Sequence, residues 1–315
     1  MNGIDITDQT GRTAPGLTTV RALIEQGAAR LEHAGVGFYH GTDNALDEAA
    51  CLVLHVLGID HDVAEGALDR PVDAAGCRRV ESLLETRIRS RKPAAYLIGE
   101  AWFAGLPFHV DERVLIPRSP LAELIENGFE PWIDPGRVGE VLDLCTGSGC
   151  IGIACAYVLP QARVTLSDIS DAALAVADSN IARHALSDRV STVRSDLFSN
   201  LVGRQFDIIV SNPPYVPEDE LAGLDTEFSH EPALGLQAGP EGLDIVLRIL
   251  RDAARFLRPG GILVVEVGHS EPALVERLPG VPFLWLEFER GGEGVFLLER
   301  EQLLACQSLF EAAGS

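Results

Sequence analysis

Residues 206–215, FDIIVSNPPY, constrain this chain more than any other stretch. Ile208, Ile209 and Val210 form an unbroken apolar run, the pattern of a strand buried on both faces of a parallel sheet. The run stops at Ser211-Asn212-Pro213-Pro214-Tyr215, because two successive prolines cannot donate to a ladder. A side-chain amide, two rigid residues that only accept, and a phenol therefore follow the carboxyl end of a buried strand. Open α/β sheets place their ligands there.

The flanking pattern fits such a sheet. Apolar runs at 140–144, 163–167, 190–194 and 262–267 alternate with helical periodicity at 150–158, 171–184 and 241–257. This βαβ alternation predicts a parallel sheet with helices on both faces. Residues 283–289 and 295–299 flank Gly291-Gly292 as an antiparallel C-terminal hairpin.

Upstream the pattern is helical. Periodic stretches at 17–34, from Asn44 onward and at 74–91 follow a polar lead over residues 1–16. Asn44 is a suitable N-cap, with Asp47 in the first turn. The basic cluster Arg87, Arg89, Arg91 and Lys92 sits where cations favour a helix C-terminus. No catalytic constellation falls here, so residues 1–94 are expected to form a small helical domain that recognises substrate. Residues 95–118, rich in Tyr, Trp, Phe and Val around Gly105-Leu106-Pro107, read as a β-hairpin linker. Ser119 is then placed to cap a helix with Pro120 at its first position, opening a second domain over 119–315.

A chain of 315 residues accommodates these two domains. Its formal net charge of −22 repels phosphate backbones, which argues against direct nucleic-acid binding and favours a basic partner. The six cysteines form no C-x-x-C pair, and the eight histidines are scattered, so neither a metal nor a disulfide framework is expected. No run approaches the ~18 apolar residues of a membrane span. The N-terminus lacks the basic and apolar regions of a signal peptide, so no membrane association and a cytoplasmic location are expected.

After the first strand of the second domain comes Asp143-Leu144-Cys145-Thr146-Gly147-Ser148-Gly149-Cys150-Ile151-Gly152. Its Gly-x-Gly-x-x-Gly spacing, with Asp168 ending the next strand, is literally the dinucleotide fingerprint, so a nicotinamide dehydrogenase is a competitor. Three features favour S-adenosyl-L-methionine instead. Asp143 would meet a pyrophosphate unfavourably but suits a cationic amino group beside Thr146, Gly147 and Gly149. Asp196-Leu197 ends the third strand with an acceptor for an adenine amine and apolar cover for its ring, leaving Asp168 for the ribose hydroxyls. The Asn-Pro-Pro-Tyr end of the fourth strand has no role in hydride transfer. It suits methylation of a planar nitrogen, whose lone pair is delocalised. Accepting both N–H bonds, from the Asn212 side chain and the Pro213 carbonyl, orients that nitrogen toward a methyl donor, with Asn212 facing the cofactor too. Pro213 and Pro214 keep the strand end rigid, and Tyr215 offers a flat face. The same clamp would suit the adenine amine of a flipped base in nucleic acid.

With these motifs the chain resembles the protein-(glutamine-N5) methyltransferases. DLCTGSGCIGIA, SDLF and SNPPYV match that family's cofactor and substrate motifs, and the likeness spans nearly the whole chain. HGTDNALDEA, AWFAGLPFHVDERVLIPRSP, HEPALGLQAGPEGLDI and LEFERGGEGVF are most similar to the branch acting on the third protein of the large ribosomal subunit. The sister branch acts on peptide release factors. It usually has an acid, Thr and Glu after Pro-Arg, where this chain has Ser119-Pro120-Leu121, and a glycine where it has Cys145. The resemblance implies a class I Rossmann-like methyltransferase sheet, S-adenosyl-L-methionine as cofactor and a glutamine amide as acceptor. It matches Asp143, Gly147 and Gly149 to the methionine-binding loop, Asp168 to the ribose acid and Asp196-Leu197 to the adenine pocket. Asn212 through Tyr215 match the amide clamp, and Arg118 a position near the cleft.

Overall fold

The computed structural model describes residues 18–60, 64–221 and 223–313; the polar lead and Leu17 lie outside them. The chain divides into two compact units, one through Ile98 and one from Gly99 on.

The first unit is helical. α1 (Val20–His33) is capped by the Thr19 hydroxyl, which accepts the Ala22 N–H. α2 (Ala45–Leu57) is capped by Asn44, whose side chain accepts the Asp47 N–H, and stops at a left-handed Gly58. A single turn, α3 (Ala64–Ala67), precedes α4 (Ala74–Ser90), where Asp73 accepts the Gly76 N–H. Leu31, Leu52, Val53, Val80 and Leu84 lie in its core. Arg87, in the basic cluster at the end of α4, is wholly buried. It lies on the stripe of Val80 and Leu84, at i+7 and i+3, and so turns inward. There its Nε donates to Glu48 Oε1 (2.8 Å) and its Nη2 to the Gly37 carbonyl (2.9 Å).

The expected hairpin is shorter than 95–118. The Pro93 carbonyl accepts from Tyr96 (3.1 Å) and Leu97 (3.2 Å), winding Ala94–Ile98 into a helical turn, α5. The strands are β1 (Glu100–Phe103) and β2 (Leu106–His109), paired antiparallel. Phe103 and Phe108 bury themselves in the core of the second unit with Leu121 and Ile125 of α6 (Leu121–Glu126). Pro120, not Ser119, is the residue just before that helix, although the Ser119 Oγ still accepts the Leu121 N–H at 3.2 Å.

The second unit follows the predicted alternation: β3 (Glu140–Leu144), α7 (Cys150–Val158), β4 (Arg163–Asp168), α8 (Asp171–Arg183), β5 (Val190–Arg194) and β6 (Phe206–Ser211). Then come α9 (Glu218–Leu221), α10 (Asp244–Ala253), β7 (Leu257–Glu266), α11 (Glu271–Arg277), β8 (Leu284–Trp285) and β9 (Val295–Glu299). Two helices the sequence pattern did not announce, α12 (Arg300–Ala305) and α13 (Gln307–Ala313), close the unit. One sheet runs in the order β5-β4-β3-β6-β7-β9-β8, parallel except where β9 pairs antiparallel with both neighbours. Side chains alternate between its faces. Val141, Ile208 and Val210 pack toward α7, whereas Leu142, Ile209 and Leu263 pack toward α10.

The chain fills one side of the sheet with β3, β4 and β5, then crosses to β6 and β7 on the other. The strand order therefore reverses between β3 and β6, where α/β sheets form their ligand crevice. Leu144 pairs with Ser211 there, and the Ser211 hydroxyl donates to the Leu144 carbonyl at 2.6 Å. That register sets the glycine-rich loop, which begins at Cys145, beside Asn212.

Candidate active site

Cys145 and Gly147 of the glycine-rich loop, Asp168 and Ile169 at the end of β4, Asp196 and Leu197 after β5, and Asn212 and Pro214 after β6 line one cavity. Arg113, Val114 and Leu115 form another part of its wall, and Pro232, Leu234, Gly235 and Gln237 a further part. Asp143, Thr146, Gly149, Pro213 and Tyr215 are not on its wall.

The loop owes its shape to residues on and beneath that wall. Gly147 and Gly149 adopt φ of 55° and 83°, the left-handed region. A Cβ on Gly152 would lie 2.2 Å from the Leu166 side chain, so this position needs a glycine for α7 to pack on the sheet. Asp143 is fully buried below the loop. Its Oδ2 accepts from the Thr146 hydroxyl (2.5 Å) and the Gly152 N–H (2.8 Å), while its Oδ1 has no hydrogen-bond partner among the described residues. Burial pushes its carboxyl up to about 7.

Asp168 reaches the cavity with both oxygens braced: Oδ2 accepts the Gly147 N–H (3.0 Å) and Oδ1 the Ser170 N–H (2.9 Å). The Ile169 N–H also favours this carboxylate, which still has acceptor capacity for a donor in the cavity. Burial moves this carboxyl upward from the usual range. Asp196 is half-exposed and paired with Arg248, whose Nη2 lies 2.7 Å from Oδ1. Two non-glycine residues on the wall, Cys145 and Leu197, hold φ of 62° and 49°. An L residue pays about 1–2 kcal/mol for such a backbone, and residues held this way cluster at functional sites.

Behind the Asn-Pro-Pro-Tyr segment lies a carboxylate that the sequence pattern did not single out. Glu266 ends β7, is only 4% exposed, and accepts from the Ser119 hydroxyl (2.5 Å) and the Tyr215 hydroxyl (3.3 Å). Burial pushes it up to about 7, against the opposing pull of Ser119, Tyr215, Arg118 and Asn212. The Tyr215 hydroxyl is raised above its usual range, by burial first and then by Glu266. The ring of Tyr215, expected as an open flat face, is instead packed: a Cβ on Gly268 would come within 3.0 Å of it, and His269 meets it edge-on at 5.7 Å. Glu231 is the second missed acid. It accepts from the Ile116 N–H (3.0 Å) and from both terminal nitrogens of Arg118.

Comparison with known proteins adds relatives to this geometry. Residues 129–230 match the model of the methyltransferase small domain, and residues 22–99 that of the PrmC N-terminal domain. The ribosomal protein uL3 glutamine methyltransferase of Xanthomonas campestris is 52% identical over 297 residues, covering 94% of this chain and 96% of the relative. Proteins of the same name from Francisella tularensis and Xylella fastidiosa are 47% and 49% identical, each over 94% of this chain and 94% and 95% of their own lengths. The chain belongs to the ribosomal protein uL3 glutamine methyltransferase family.

Within this uL3 glutamine methyltransferase family member, one cavity gathers Gly147, Asp168, Asp196, Leu197 and Asn212, residues 65 positions apart at most from the loop's first glycine. The enzyme is a methyltransferase, and its largely parallel sheet is the one the strand alternation predicts, with the Rossmann-like form the resemblance implies. Glu231 and Glu266 escaped the sequence reading because their partners lie far away in the chain. The one available signal for Glu266 was an acid closing an otherwise apolar strand, Ile262 to Val265.

Proposed function

We propose that this protein transfers a methyl group from S-adenosyl-L-methionine to the side-chain amide nitrogen (N5) of a glutamine in ribosomal protein uL3. The observation that carries this reading is the adjacency of Asn212 and the glycine-rich loop at the switch point of the sheet, in one cavity. The names of the relatives supply the acceptor.

The residues fit the cofactor. Gly147 has open space where a Cβ would stand, so its backbone can approach a ligand closely. Asp168 keeps acceptor capacity for ribose hydroxyls. Leu197 and Ile169 give apolar cover for a purine, with Asp196 as acceptor for its amine. Asp143 shapes the loop from below through Thr146 and Gly152, and its uncommitted Oδ1 is a buried acceptor beside that loop. When bound, S-adenosyl-L-methionine supplies an electrophilic methyl carried on a sulfonium. The chain's part is to orient the acceptor nitrogen: Asn212 Oδ1 and the Pro213 carbonyl accept its two N–H bonds. Those acceptors would favour the positive charge that grows on nitrogen as its new bond to carbon replaces the methyl's bond to sulfur, and hold the reactants in line; one of the two N–H protons then leaves to an acceptor or to water, giving the neutral N-methyl amide. Pro213 has no N–H to compete for that role.

The net charge of −22 suits a basic ribosomal protein as partner, met in the cytoplasm, rather than free nucleic acid. The helical unit, residues 1–94 as first delimited, is the part we assign to recognising that partner. The test offers labelled methyl donor with isolated uL3, a release factor and naked ribosomal RNA in separate reactions. Label in uL3 supports the reading; label confined to the release factor or the RNA overturns it.

A further inference from the structure

Asn212 must present its oxygen, not its nitrogen, to the acceptor amide. A side-chain amide has two nearly isosteric orientations, and its surroundings choose between them. On the β6–β7 pair, Ser211 is in register with Val265, so Asn212, the first residue past β6, and Glu266, the last of β7, come next along the two chains. Glu266 is 4% exposed, its Oε2 accepts the Ser119 hydroxyl and its Oε1 the Tyr215 hydroxyl, and the neighbouring Asn212 side chain favours its ionised form. An ionised carboxylate only accepts, so a side-chain amide that favours that form turns Nδ2 toward it and leaves Oδ1 turned away.

Building on the proposed amide methylation, we propose that Glu266 is a positioning residue that fixes the orientation of the Asn212 amide and so switches the clamp between productive and unproductive states. A protonated Glu266 carries an O–H that donates, which invites Asn212 Oδ1 inward and presents Nδ2 to a substrate N–H it cannot accept.

The charge on Glu266 then matters. Arg118 favours the ionised form, as do the hydroxyls of Ser119 and Tyr215; burial opposes it. Glu231, paired with Arg118, and His269, on the edge of the Tyr215 ring, are the other titratable groups around this cluster. The balance holds the carboxyl up at about 7, so the productive, ionised form grows as pH rises through that value.

The experiment measures kcat, KM for uL3 and cofactor affinity of the full chain between about pH 5.5 and 9, for wild type, Glu266→Gln, Ser119→Ala, Asn212→Ala and the Asn212→Ala/Glu266→Gln double variant. Wild-type kcat should rise through one ionisation near 7 and level off. Glu266→Gln should lose that rise and run roughly 10²-fold below the wild-type plateau, the scale of a misplaced catalytic contact, with KM and cofactor affinity within a few-fold. Ser119→Ala, which removes a donor to the carboxylate, should move the rise to higher pH. The double variant should be no slower than Asn212→Ala, since Glu266 acts through Asn212. A rise that persists in Glu266→Gln overturns the inference. So does cofactor affinity falling in step with kcat, or, where Glu266→Gln does not fold, a rise unmoved in Ser119→Ala. Wild type that methylates no glutamine of uL3 overturns this inference and the proposed function together; wild type that does, with any one of the failures above, overturns the role of Glu266 alone.

Discussion

Arg118 and Glu231, 113 positions apart in the chain, form a two-point ion pair: Nη1 lies 2.7 Å from Oε1 and Nη2 2.6 Å from Oε2. The Arg118 guanidinium also sits over the Phe228 ring, 5.5 Å from its centroid. Because Glu231 takes the Ile116 N–H as well, one carboxylate fastens the segment after the hairpin to the segment after α9. Both segments contribute to the cavity wall, through Val114 and Leu115 on one side and Pro232 and Leu234 on the other.

Glu231→Ala should therefore lower stability by about 2–3 kcal/mol, since it strands Arg118 and a buried N–H. Glu231→Gln, which can still accept the Ile116 N–H, should lose less. Urea melts of the variants check this, and unchanged midpoints would leave the pair without structural weight.

Asp168→Ala should weaken binding of S-adenosyl-L-methionine by roughly 2–3 kcal/mol, because it removes a charged acceptor and frees the Gly147 N–H that shapes the loop. Calorimetric titration measures it. A change confined to affinity for the protein substrate would remove Asp168 from the cofactor side.

Asn212→Ala should nearly abolish methyl transfer while cofactor affinity stays within a few-fold, since the lost acceptor acts mainly in the transition state. Binding and turnover measured on one preparation decide it. Affinity that falls together with rate would make Asn212 a cofactor or framework residue.

What the sequence made legible here was local. The run Ile208–Ile209–Val210, the glycine spacing from 147 to 152 and the acids closing successive strands each carry their signal within a few residues, so the sheet and the strand-end part of the cavity wall could be read. Roles that depend on distant partners could not. Arg87 read only as one of several cations at a helix end, because Glu48, its buried partner, lies 39 positions earlier. Glu266 takes its meaning from Ser119, 147 positions away. Tyr215 kept its aromatic identity but not its expected open face, since Gly268 and His269 arrive from beyond β7. Tyr96 and Leu97 could pass for strand residues, and the Pro93 carbonyl decided for a helical turn.

The Glu48–Arg87 pair is buried on both sides, with 2% and 0% side-chain exposure. Burial raises the Glu48 carboxyl and the Arg87 guanidinium opposes that shift. Glu48→Ala leaves a buried guanidinium without its counter-charge and should cost about 3–5 kcal/mol. Thermal or urea denaturation of the full chain reads the effect; a melt that matches wild type would show that Arg87 finds compensation elsewhere.

The most direct measurement is a methyl-transfer reaction with isolated uL3 and isotopically labelled S-adenosyl-L-methionine, followed by peptide mapping with fragmentation that locates the label on a side chain. One labelled methyl on the amide nitrogen of a single glutamine, absent from the Asn212→Ala reaction, is the expected result. Label on a nucleotide, on another side chain, or unchanged in the Asn212→Ala reaction contradicts it.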